Sequence, residues 1–179
     1  MRMKLSLALG LVVLAVLNFG IYRNERFIET GEEVYFELAP VDPRSLLQGD
    51  YMRLNYKIVN NLRAAIRIPA TVDEPPLNAK EIPREGKIVV RIDEKRVASY
   101  QRIWEPGESL GENERLLRYS QEGRHVGSTS FFFEEGRGEA YEKARYGIFK
   151  LGKDGRTILR SLADENLVRI EPGPMEKSP

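Results

Sequence analysis

Eighteen consecutive positions, residues 5–22, carry no charge. As a helix rising about 1.5 Å per residue, such a run is roughly 27 Å long, close to one hydrocarbon thickness. Arg2 and Lys4 precede it, and Tyr22 and Arg23 close it as an aromatic and a snorkelling cation of the kind that settle at a membrane interface. A cleaved signal peptide has a shorter apolar region and a small-x-small cleavage site, and no Ala-x-Ala ends this run. A buried core helix would need protein on every side, and the remainder is too small and too charged to enclose it. The expectation is an uncleaved signal anchor in the lipid bilayer through residues 5–22, with 1–4 as a cytoplasmic head. Arg2, Lys4 and the terminal amine oppose Arg23 and Arg26, a three-to-two bias that leaves the head inside and sends the rest across.

The chain has 179 residues, and its 28 basic and 27 acidic side chains all fall outside that run, making the remaining 161 positions about 34% charged. An average soluble domain is about 25% charged. The apolar content left over suffices for one core and hence one domain. A net charge of +1 without a basic stripe gives no reason to expect nucleic acid. With no Cys and a single His, His125, the chain has no thiol nucleophile, disulfide framework or zinc-finger spacing. Neither a metal nor a cofactor is expected.

Residues 23–33 read as a polar stalk, and from 34 to 171 the periodicity becomes that of strands. Residues 34–39 form a first strand, ended by Pro40 and Pro43. Residues 51–59 alternate, with Met52, Leu54, Tyr56 and Ile58 on one face and Tyr51, Arg53, Asn55 and Lys57 on the other. A short helix follows at 60–66, then a proline-rich loop at 69–86. Residues 87–93 and 96–104 form a hairpin, and 125–134 a strand whose Phe131-Phe132-Phe133 end belongs in the interior. A helical turn or two at 139–145 precedes a hairpin of 147–151 and 156–162 about Asp154-Gly155, and 167–170 is a last strand. Residues 172–179 have nothing to bury and read as a disordered tail. The fold class is therefore mainly β (α+β): one N-terminal transmembrane helix, then a single mostly antiparallel β domain with one or two short helices.

Gly49-Asp50-Tyr51-Met52-Arg53-Leu54-Asn55-Tyr56 matches letter by letter the pattern that names the GDYXXLXY family. The lead-in at 40–48, the stretch 131–141, Ala144-Arg145-Tyr146 and Asp154-Gly155 are similar to that family too, so the resemblance spans essentially the whole chain. Arg137 departs from it, standing where a Gln is expected. The resemblance implies an extracytoplasmic domain on a single anchor in a bacterial inner membrane, without an assigned activity, and often encoded beside a multi-pass membrane protein.

The motif divides between two jobs. Leu54 and Tyr56, two apart, share a core face on which the Tyr hydroxyl must find a partner, while Gly49 and Asp50 suit a tight turn. Asp50, Tyr51 and Arg53 point away from that core and, with Glu135 in the loop after the phenylalanines, form a candidate binding surface for an integral membrane partner. Non-enzymatic accessory work is the first expectation. The alternative is a membrane-anchored hydrolase, either a signal-peptidase-like Ser/Lys enzyme or a carboxylate-based, glycan-acting one. Ser45 is the one nearby serine, and Lys57, Lys80, Lys87 and Lys95 are the candidate bases. Ser45 follows Pro43 and precedes Gly49 by four positions, a poor match to the peptidase spacing, and Glu134-Glu135 is one of several acidic pairs explained by a charged surface. No residue is assigned a catalytic role.

Overall fold

The computed structural model describes residues 2–39, 51–66, 85–120 and 125–171, with side chains in the first helix from Leu9 onward. That helix, α1, runs without a break over Arg2–Thr30. It carries the backbone through most of the expected stalk, because Asn24–Thr30 contains neither Gly nor Pro and Gly31 then accepts the exit, its N–H donating to the Phe27 carbonyl at 2.8 Å. Counted over the described residues, no helix is long and apolar enough to cross a membrane. Those side chains begin at Leu9, so residues 5–8 of the uncharged run stand outside that count.

Among the described residues, eight strands follow in three small antiparallel sheets. Strand β1 (Glu32–Glu37) pairs with β7 (Tyr146–Leu151), which pairs with β8 (Thr157–Ala163). Strand β2 (Tyr51–Arg53) pairs with β6 (Ser130–Phe132) as a two-stranded ribbon. Strand β3 (Glu85–Ile92) lies between β4 (Ala98–Ile103) and β5 (Glu114–Ser120). Two short helices join them among the described residues, α2 (Lys57–Ile66) and α3 (Gly138–Tyr141). The sheets are stitched together by backbone: Tyr35 N–H donates to Arg96 C=O at 2.9 Å, Ala39 N–H to Asn55 C=O at 2.8 Å, and Arg118 N–H to Gly155 C=O at 2.9 Å.

One apolar core joins these elements. At its centre Phe36 stacks on Phe149 with ring centroids 4.3 Å apart, and Tyr56 meets both edge-on, at 6.0 and 5.5 Å. The rings come this close because two glycines flank Phe149: a Cβ at Gly147 would lie 2.8 Å, and one at Gly127 2.7 Å, from its ring carbons. The hairpin after β7 turns at Gly155, whose φ of +85° an L side chain resists, as the Asp-Gly signal predicts.

Several expectations are corrected. The regular strand foreseen at 51–59 ends at Arg53, and α2 starts at Lys57 rather than at residue 60. Ile58, Val59 and Leu62 all reach the core, a spacing that a helix satisfies and a strand does not. The strand expected at 125–134 shrinks to Ser130–Phe132, and Phe132 is 74% exposed instead of interior. Strand β5, unforeseen, occupies Glu114–Ser120 with Leu117 and Tyr119 inward. The last strand expected at 167–170 is reduced to one antiparallel bridge, Arg169 to Ala163, beside which Ile170 N–H donates to Leu162 C=O at 2.9 Å. A turn leads into it, with Leu167 at φ +63° and the Asp164 carboxylate accepting from Asn166 and Val168 N–H at 2.9 and 3.0 Å. Of the loop expected at 69–86, Glu85 and Gly86 instead open β3, while residues 69–84, like the tail at 172–179, lie outside the described residues.

Candidate functional site

The β2–β6 ribbon carries the motif and sorts its side chains by parity. Tyr51 pairs with Phe132, Met52 with Phe131 and Arg53 with Ser130. Met52 is buried, and Phe131 packs edge-on against Tyr141 at 5.0 Å between ring centroids while Phe133 stacks on the same tyrosine at 5.2 Å. On the other side Tyr51 and Phe132 lie with ring centroids 5.7 Å apart, and Arg53 is exposed beside them. The ribbon thus presents a phenol, a phenyl ring and a guanidinium on one outward face. Glu135 is three residues past Phe132, on an exposed turn that Gly136 makes at φ +78°. Gly49 and Asp50 lie outside the described residues, so the turn foreseen for them does too.

Leu54 and Tyr56 go inward, 5% and 2% exposed. The Leu54 N–H extends the ribbon by donating to Thr129 C=O at 2.9 Å, and the Tyr56 hydroxyl donates to Ser128 C=O at 2.8 Å. Burial pushes that hydroxyl well above the usual phenol range, so it stays protonated and remains a donor. The two halves of the motif therefore clasp the same segment, 128–132, once through the ladder and once through a side chain.

The hydrolase reading finds no assembled centre among the described residues. Lys57 is exposed and ion-paired with Glu37 at 3.1 Å, Lys87 lies over the Trp104 ring at 5.2 Å, and Lys95 is on an exposed turn. None occupies the apolar pocket that a catalytic lysine needs. Ser45 and Lys80 fall outside the described residues. No group of three His, Cys, Asp or Glu side chains gathers among the described residues.

One charged constellation was not foreseen. The Arg102 guanidinium grips the Glu114 carboxylate with two N–H groups at 2.6 and 3.0 Å and donates its Nε–H to Glu108. This fork, aided by the Gly111 N–H at 3.0 Å, pulls the Glu114 carboxyl down to about 2. The Trp104 indole N–H donates to Glu108 C=O at 3.3 Å, so the cluster fastens the loop between β4 and β5. All its charges face one another, which suits a brace rather than a ligand site. The sequence signal was available only in outline, since sequence gives charges but not which of them pair.

A family model described as GDYXXLXY protein matches residues 13–162, most of the chain and all of the clasp just described. The chain belongs to the GDYXXLXY family. Compared with curated proteins and with solved structures, it finds no match. In this GDYXXLXY domain, the motif's first Tyr is half-buried on the outward face of the β2–β6 ribbon, its Leu and second Tyr stand inside, and that ribbon is the candidate site.

Proposed function

We propose that this protein is a non-enzymatic accessory subunit, held by α1 on the extracytoplasmic face of a bacterial inner membrane and joined to an integral membrane partner through the outward face of the β2–β6 ribbon. The observation that carries the reading is the environment of α1. Leu11, Val12, Val13 and Leu14 occupy four successive positions, which together circle the helix, and each is at least 50% exposed. Nine aliphatic or phenyl side chains between Leu9 and Ile21 are exposed in this way. At about 1.5 kcal/mol each, transferring them to an apolar phase releases roughly 13 kcal/mol, far more than a domain of marginal stability can leave unclaimed. Sequence supplies the first turn of that run, residues 5–8, and the cations on either side of it.

The ribbon is favoured as the contact because Phe132 is 74% exposed, with Tyr51 and Arg53 beside it, in a domain whose other large apolar side chains outside α1 are mostly buried. Aromatic and Arg side chains are the residues that most often anchor interfaces. Confinement to one membrane raises the effective concentration of both proteins, so a small patch suffices. Crosslinking and co-purification from detergent test the assignment. Tyr51→Ala, Arg53→Ala and Phe132→Ala are expected to lower partner recovery at least tenfold without changing the far-ultraviolet dichroism, and undiminished recovery with all three would remove this face.

A further inference from the structure

Where α1 meets the domain, the Phe27 ring lies directly on Gly152, in the space a Cβ would take. The Arg156 guanidinium lies over that ring, 4.1 Å from its centroid, and reaches Asn24 Oδ1 at 3.5 Å. Beside this contact opens a cavity of about 820 Å³ lined by Phe27, Thr30, Glu32, Arg115, Lys153 and Arg156 among others. Its two acids are already engaged: Glu32 pairs with Arg115 at 2.7 Å, and Asp154 with Arg118 at 2.8 Å. Lys153 and Arg156 have no carboxylate within ion-pairing distance among the described residues. The pocket therefore holds two uncompensated cations.

Its height matters as much as its charge. Phe27 is five residues past Tyr22, about 7.5 Å further along a helix, and the headgroup layer on each side of the hydrocarbon is about 5–8 Å deep. Arg23, four residues before Phe27, lies on the same side of the helix. Resting on the membrane placement proposed above, we infer that this junction pocket binds the headgroup phosphate of an anionic phospholipid, with Lys153 and Arg156 as its ligands and Arg23 at its rim. A zwitterionic lipid brings its own ammonium to its phosphate and so gains little from two further cations. The bound headgroup would fix the angle at which the domain stands on the membrane, because the same Arg156 braces Phe27.

The test uses the full-length protein in detergent, offered equal amounts of dioleoylphosphatidylglycerol and dioleoylphosphatidylcholine, with retained lipid counted by native mass spectrometry. Preferential retention of phosphatidylglycerol is expected, weakened at least fivefold by Lys153→Glu and by Arg156→Glu, since each surface cation is worth about fivefold toward anionic lipid. Lys95→Glu, on the exposed turn after β3, should leave the preference unchanged. Lys153 is on an exposed hairpin turn and is not part of the Phe27 contact, so its variant keeps the test decisive if Arg156→Glu disturbs packing. Equal retention of the two lipids, an undiminished preference in Lys153→Glu, or displacement by millimolar inorganic phosphate as readily as by lipid would overturn the inference. If the chain holds neither lipid and leaves the membrane fraction in salt, the anchoring itself fails; if it stays in the membrane with no lipid preference, this pocket alone fails.

Discussion

Tyr56→Phe removes one oxygen from the centre of the domain and nothing else. In the native protein that hydroxyl is 2% exposed at the residue level and donates to Ser128 C=O at 2.8 Å. A typical buried hydrogen bond contributes about 1 kcal/mol net, and a carbonyl left without its donor adds to the cost, so the variant should lose about 1.5 kcal/mol at pH 7. For a domain of this size that corresponds to a fall of about 5 °C in Tm. The pH dependence gives a second, independent reading. Burial raises the folded-state pKa of Tyr56 far above the ordinary phenol value of 10.0. A group whose pKa is raised by folding stabilises the native state fully below its unfolded pKa and ceases to do so as pH climbs. Between pH 10 and 11 the unfolded chain ionises this tyrosine while the folded one does not, which removes about 1.4 kcal/mol by pH 11 at 1.36 kcal/mol per pH unit. Wild type and Tyr56→Phe should therefore differ by about 1.5 kcal/mol at pH 7 and converge near pH 11. Urea unfolding followed by circular dichroism on both proteins, at pH 7, 10 and 11, measures this. A gap that stays constant with pH, or no gap at pH 7, refutes the assignment of Tyr56 as a buried, hydrogen-bonded donor.

Two further perturbations probe other parts of the account. Gly147→Ala places a methyl group 2.8 Å from the Phe149 ring and 3.3 Å from that of Tyr56, and should lower the urea midpoint by the equivalent of about 1–3 kcal/mol through overpacking. Glu114, held at about 2 by Arg102, stabilises the native state above its ordinary carboxyl range and progressively less as pH falls from about 4.5 toward 2; Glu114→Gln should flatten that acid limb in a thermal-melt series, and an unchanged limb contradicts the fork.

How far residues alone revealed this fold depends on whether a local period matched its environment. Alternation through Met52, Leu54 and Tyr56 named the inward side chains correctly, yet concealed the switch to helix, because Ile58 fits both periods and only Val59 and Leu62 break the tie. Phe131-Phe132-Phe133 looked interior as a block, while strict parity sends Phe132 out and leaves Phe131 and Phe133 on Tyr141. Strand β5 hid behind Glu114, Arg115 and Arg118, charges that face cross-strand partners or turns, although Leu117 and Tyr119 keep the two-residue spacing. Tyr119 also spreads across Gly86 on the neighbouring strand, a packing fact no local window contains. Of the candidate surface, Tyr51 and Arg53 share a face as their parity required, but Phe132 was absent from it because its cross-strand partner, Tyr51, is 81 residues away in sequence. The junction of Phe27, Gly152 and Arg156 is likewise a long-range meeting, between the end of a helix and a hairpin turn.

The anchoring of α1 is tested most directly by intact-mass measurement of the protein recovered from the membrane fraction after alkaline carbonate washing. A species of about 20.5 kDa that retains residues 5–22 and remains in the pellet is the predicted result. A mature chain that begins beyond Tyr22 and comes away in salt would contradict it.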